Sequence, residues 1–294
     1  MTDAAGTGPL EADGSRCYRH PNRPAFVRCQ RCGRAVCPEC QVPAAVGVHC
    51  PDCVRQAARQ MPVARSALGA PISGGAPVVT ITAIALCVAV FVAQQASGGR
   101  LTSEWVFMPA AEWYQPWRIV TAAFLHGGVL HLAFNMYALW VVGSFMEQLF
   151  GRSRLAALYL GSALGGHALV LIWFRLVEFN GAAALTGTLG ASGAVFGLFA
   201  AALLAGRRLG GSINGIMTVI GLNLVLSFTV PNISWQGHVG GLLTGGAMAL
   251  AYIRARPSER RRRAWVVAVV VPVAIAAVVF LTASPWSWSL GAPS

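Results

Sequence analysis

Read from its amino terminus, the chain changes pattern near residue 77. Before that point, apolar residues are scattered singly among Arg, Pro and Cys. After it come seven long apolar runs, at about 78–95, 129–149, 155–174, 189–205, 213–230, 236–253 and 264–283. Each approaches the ~20 residues that an α-helix needs to cross the hydrocarbon of a bilayer. The pattern predicts an all-α, multi-span membrane protein preceded by a small non-membrane module. Expected segments are a disordered 1–16, a module at 17–53, a linker at 54–77, a six-span bundle at 78–254, and a tail at 255–294 carrying a seventh span. Residues 1–16 lack the apolar stretch of a cleavable leader.

Composition sharpens this picture. Of 294 residues, 55% are hydrophobic and 11% charged, against ~25% charged in soluble domains. The mean hydropathy is +0.59. An ordinary soluble enzyme, a disordered chain and a coiled coil are thereby excluded. The net charge of +12 comes from 22 basic residues, all Arg, and suggests nucleic acid until positions are examined. Arg152 and Arg154, then Arg207 and Arg208, then Arg254, Arg256 and Arg260 to Arg263 fall in alternate connections. Such asymmetry is a topology signal. It places these connections and the N-terminus in the cytoplasm and the C-terminus outside, and nucleic acid is not an expected partner. The connection at 96–128 is rich in Trp105, Trp113, Tyr114 and Trp117, as expected of a segment lying among lipid headgroups.

Seven of the eight cysteines lie within 17–53, in paired spacing. Cys17 and His20, Cys29 and Cys32, Cys37 and Cys40, and Cys50 and Cys53 each leave two residues between partners. Such knuckles turn two ligands toward one ion, and eight donors suffice for two tetrahedral zinc ions. His49 is a candidate substitute. A disulfide framework fits poorly with a reducing cytoplasm. So small a module needs metal for its folding energy. The order CxxH, CxxC, CPxC, CxxC resembles a B-box-type zinc finger. That resemblance implies that pairs one and three share one ion and pairs two and four the other; spacing alone leaves sequential pairing open. A protein-binding role toward a cytoplasmic partner is expected, and Cys87 reads as buried filler.

Polar groups within apolar spans are costly and need a reason. Span two begins with His126, His131 and Asn135, the last two on one helical face. Span four opens with Gly190-Ala191-Ser192-Gly193, and span six with Gly237-His238 followed by Gly241 and Gly245. By the topology all three spans run inward from the outer surface, so His131, Asn135, Ser192 and His238 share one shallow depth. The small residues beside them permit close helix approach. A Ser with a His is a nucleophile with its base. No carboxylate shares the layer, so the pair reads as a dyad. Asn135, His131 and the Ser192 backbone N–H are candidate donors to an oxyanion.

These residues, together with Trp117-Arg118 in the first loop, resemble the rhomboid family of intramembrane serine proteases over about residues 78–254. The resemblance implies that Ser192 is the nucleophile, His238 the base, and His131 and Asn135 the oxyanion site. His126, Gly190, Gly193, Phe196, Gly241, Gly245, Trp117 and Arg118 would support the site. It further implies cleavage of peptide bonds in or beside transmembrane helices of membrane-protein substrates and no cofactor for proteolysis; the Arg-only basic set and the Ala/Gly richness point separately to a bacterial source and hence a bacterial plasma membrane setting. Phe196 departs from the family, where many members place a Tyr against the catalytic His. A non-catalytic rhomboid-like scaffold is the alternative, and a full-depth pore would have needed charges throughout the bilayer. Glu147, at the far end of span two, reads as a helix-end carboxylate near Arg152.

Overall fold

In a computed structural model of the chain, the described residues are 15–61, 64–72, 75–111, 114–178 and 181–255, with scattered positions beyond. They form two units, divided between residues 63 and 64. Most of the expected disordered N-terminus and most of the seventh run at 264–283 lie outside the described residues, as does Trp113.

The first unit has two minimal antiparallel hairpins and one helix. Strand β1 (Val27–Arg28) pairs with β2 (Ala35–Val36), and β3 (Val42–Pro43) with β4 (Val48–His49). Gly33 and Gly47 sit in the hairpin turns at φ +74° and +65°, the left-handed region that glycine enters without steric cost. Helix α1 (Pro51–Gln60) begins at a cysteine: the Cys50 side chain accepts the Cys53 N–H, and Pro51 fills the first helical position. Its core is little more than Ala25, Ala35, Val36 and six buried cysteines.

The second unit is a helical bundle: α2 (Val78–Ala96), the short polar α3 (Arg100–Trp105), α4 (Val129–Phe150), α5 (Arg152–Leu176), α6 (Ser192–Leu209), α7 (Asn214–Thr229) and α8 (Trp235–Arg254). Of these, α2, α4, α5 and α6 are long and apolar enough to cross a membrane. With the apolar α7 and glycine-rich α8 they match the first six runs of the sequence. The starts of spans three and four shift most. Helix α5 starts at Arg152, not 155, and α6 at Ser192, not 189, because Gly190 turns the chain at φ +126°.

Helices α5, α6 and α8 form the centre, and α6 and α8 approach backbone to backbone. A Cβ on Gly241 would lie 2.0 Å from the Gly193 carbonyl oxygen, and one on Gly245 2.3 Å from the Gly197 Cα. Against this centre, α2 is tied down by a carboxylate. Glu147 of α4 accepts the N–H groups of Val79 and Thr80 at 3.1 and 2.9 Å and the Thr80 hydroxyl at 3.0 Å. It caps the first turn of α2, whose leading N–H groups have no partner within their own helix. Arg152 stands farther off, at 3.8 Å.

The expected linker is not uniform. Its first residues extend α1, whereas Leu68 is buried in the second unit, where Ser66 donates to the Leu149 carbonyl and Arg154 to that of Leu68. The 96–128 connection is held together from within. Tyr114 and Trp117 are exposed, but Arg118 is only 6% exposed. It donates to the carbonyls of Ser103 and Val106, both at 2.8 Å, and to Gln115. A buried guanidinium needs such acceptors, and this one knits the loop internally.

Candidate active site and metal centres

Three helix N-termini converge at one end of the bundle. Helix α4 brings His131 and Asn135, α6 brings Ser192, and α8 brings His238.

Gly190 sets the first contact. A side chain there would meet His131, with Cε1 and Nε2 at 2.9 and 3.0 Å from the Cβ position; Ser192 Oγ lies 3.7 Å from that same point. The bare backbone therefore lets the His131 ring edge approach the start of α6. Hydrogen bonding assigns the His131 tautomer. Its Nδ1 accepts the Gly127 N–H at 3.3 Å, so in the neutral ring Nε2 carries the proton and faces Gly190 as a donor. Asn135, buried one turn further along, gives one amide hydrogen to the His131 carbonyl at 2.9 Å. His126 lies edge-on to His131 at 5.2 Å. Its Nδ1 donates to the Phe124 carbonyl, and its buried Nε2 has no protein partner among the described residues. The Gln94 side chain grips both the N–H and the carbonyl of His126.

Phe196 sets the second contact. It lies one turn below Ser192 on the same face of α6. The His238 ring stacks on it at 4.2 Å between centroids and 13° between planes. The missing hydroxyl at this position thus leaves the packing intact. Gly193 and Gly241 bring the two helices into direct contact on either side of this stack, with Gly245 one turn further along. No hydrogen bond joins Ser192 to His238. The hydrogen bond His238 does make is one the sequence did not anticipate, between Nδ1 and Ser227 Oγ of α7 at 2.6 Å. A lone Ser in an apolar helix, eleven residues before the His, was the available signal. Trp117 and Arg118 shape the preceding loop and do not join this cluster.

In the first unit, Cys17, His20, Cys37 and Cys40 form one donor set and Cys29, Cys32, Cys50 and Cys53 the other, with donor atoms within 4.8 Å of one another. His20 Nδ1 is 3.4 Å from the Cys37 and Cys40 sulfurs, and the Cys32 and Cys50 sulfurs are 3.7 Å apart. A tetrahedron with Zn–S near ~2.3 Å has sulfurs about 3.8 Å apart, so both sets fit zinc. Pairs one and three share a site, as do two and four; His49 belongs to neither. The thiols within each set differ. Burial resists ionisation at Cys17 and Cys29, but backbone N–H groups outweigh it and bring both to about 6. Burial and the neighbouring thiolates push Cys40 to about 11 and Cys53 to about 12.

Comparison with known proteins follows the same division. Residues 114–255 match the family described as Rhomboid domain. The chain is 33% identical over 201 residues to rhomboid protease GluP of Bacillus subtilis (strain 168), covering 64% of this chain and 37% of that protein. It is 30% identical over 185 residues to rhomboid protease GlpG of Yersinia pestis (strain Pestoides F), covering 58% and 61%. It is 30% identical over 155 residues to YdcA of Bacillus subtilis (strain 168), whose name places it provisionally among the same proteases, covering 51% and 71%. The chain spans less than half the length of several curated relatives that it matches, GluP included.

Proposed function

The chain belongs to the rhomboid family of integral membrane proteins, and from that premise we propose that it is an intramembrane serine endopeptidase acting through Ser192 and His238. The observation that carries this reading is the meeting of three helix N-termini at one point. There the His238 ring stacks one turn below Ser192, and a His131 N–H faces the start of the same helix.

In the proposed reaction, Ser192 Oγ attacks the scissile carbonyl while His238 Nε2 takes its proton. His238 then gives that proton to the leaving amine. The negative oxygen of the tetrahedral intermediate is met by the His131 Nε2–H, the second Asn135 amide hydrogen and the Ser192 backbone N–H. Loss of one such donor costs ~3–4 kcal/mol of transition-state stabilisation. The second half-reaction needs water, and the unpartnered Nε2 of His126 is an acceptor that can hold one beside His131. Substrates are membrane proteins whose helices unwind locally at small residues such as Gly or Ala. They reach the site laterally, by movement of α7 and the bend at 231–236, where Asn232 adopts φ +65°.

The Arg distribution supports an orientation with the N-terminus and its metal module in the cytoplasm, and the Arg-only, Ala- and Gly-rich composition supports a bacterial plasma membrane setting. The two donor sets of that module hold structural zinc, and its surface serves a cytoplasmic protein partner.

One observation favours a second reading, a scaffold that binds membrane proteins without cutting them: Ser192 and His238 share no hydrogen bond. Resting catalytic pairs are often loose and tighten on substrate, so cleavage decides. Wild type, Ser192→Ala and His238→Ala are reconstituted in vesicles with a designed transmembrane substrate. Wild type cuts and both variants do not; equal cleavage by all three sinks the protease assignment.

A further inference from the structure

Helix α7 packs on the outside of the central helices and is little embedded. Among its residues, Ile220 and Ser227 are buried, while Met217, Leu222, Val225 and Phe228 face outward. Ser227 is thus a polar side chain placed on the one face where α7 meets the bundle, 3% exposed. Its hydroxyl is shared between two partners, the Asn223 carbonyl at 2.6 Å and His238 Nδ1 at 2.6 Å.

A hydroxyl has one proton and a carbonyl has none. If Ser227 gave its proton to His238, two oxygen lone pairs would face each other across the Asn223 contact. The arrangement that satisfies both contacts has Ser227 donating to Asn223 and accepting from His238. The neutral His238 ring then carries its hydrogen on Nδ1 and leaves the Nε2 lone pair free. That assignment comes from the hydrogen-bond network, as tautomers must.

We propose that Ser227 is a positioning residue for the base, holding His238 in the Nδ1–H tautomer whose Nε2 can accept the Ser192 proton. The proposal rests on the dyad reading above. As Nε2 takes the proton, the ring becomes a cation, and its Nδ1–H bond to Ser227 turns charge-assisted and stronger. The contact therefore stabilises the charged state more than the resting one, which is the condition for raising turnover and not merely affinity. Among the described residues no carboxylate contacts His238 for this task, and a back-bonded hydroxyl takes it up. Asn223 fixes the acceptor: its carbonyl occupies the Ser227 proton, so the hydroxyl cannot turn to donate into the ring.

The test uses the full-length zinc-loaded protein in vesicles. Turnover and KM are measured on the designed substrate for wild type, Ser227→Ala and Ser227→Thr, with Ser192→Ala as blank. The rate at which a fluorophosphonate probe labels Ser192 is read in parallel, together with thermal unfolding. Threonine can make the same bond to the carbonyl four residues back, so it is the conservative rescue. Ser227→Ala is expected to lose about ten-fold in kcat and in labelling rate, with KM unchanged, and Ser227→Thr to restore most of both. Wild-type kcat and labelling in Ser227→Ala overturn the proposal. So does a loss confined to KM or to melting temperature, and so does a failure of threonine to restore turnover. A blank that still cleaves removes the dyad reading and the proposal with it. An inert blank beside an unimpaired Ser227→Ala removes the proposal alone.

Discussion

Gly241→Ala asks how tightly the proposed dyad is held. One methyl group is added to α8, one turn after His238. Its position is fixed by the helix backbone, 2.0 Å from the Gly193 oxygen, 2.6 Å from the Gly193 carbon and 2.9 Å from its Cα. All three obstacles are main chain, so no rotamer change relieves them. Contacts of this kind settle near ~3.5 Å, and α6 and α8 must part by roughly 1 Å or more. Overpacking of this sort costs about 1–3 kcal/mol of stability. The functional cost is larger, because the parting helices carry Ser192 and His238, and misplacement of a reacting pair by ~1 Å costs on the order of 100-fold in rate. Gly246→Ala is the control. Its added methyl would stand 3.5 Å from the Ala200 Cβ, an ordinary contact on the same helix pair. Both variants are assayed for cleavage and for thermal unfolding in detergent. Gly241→Ala should be folded at low temperature, lower melting and nearly inactive, with Gly246→Ala close to wild type. Equal behaviour of the two would refute the claim that the α6–α8 approach sets the site.

Two further outcomes follow from the helix cap and the metal centres. Glu147→Ala strands the N–H groups of Val79 and Thr80 and should cost about 2–3 kcal/mol, seen as a lower melting temperature of the membrane unit; Glu147→Gln keeps an acceptor and should lose less. Anaerobically purified protein should contain two zinc ions per chain, His49→Ala should keep both, and a strong chelator should abolish amide-exchange protection across 15–61, whereas a protected module after metal loss would contradict a metal-dependent fold.

The spans were legible because hydropathy over some twenty residues is a coarse and redundant signal. The candidate site was legible because Ser192, His238, His131 and Asn135 are polar groups where apolar ones are expected. What escaped the sequence was directional. Spacing offered eight candidate ligands but could not say which knuckles met, since that depends on how the two hairpins fold back. Arg118 was expected to support the site, and nothing local in the sequence reveals the carbonyls of Ser103 and Val106 that receive it. Ser227 was hidden among apolar neighbours, and its value lies wholly in a partner on another helix. The start of span four was misjudged by three residues because hydropathy does not register the backbone angle of Gly190.

The crossed arrangement of the two metal sites has an effect on assembly. The loop between Cys17–His20 and Cys37–Cys40 contains the Cys29–Cys32 knuckle, and the loop between that knuckle and Cys50–Cys53 contains Cys37–Cys40. Closing either loop shortens the chain that the other must still order, and so lowers the remaining closure entropy. The first ion therefore prepares the seat of the second. Uptake by this unit should be cooperative, passing from empty to doubly filled with little of the half-filled form. A cell starved of zinc would then hold two populations of this chain, one with an ordered N-terminal unit and one without, and no graded series between them.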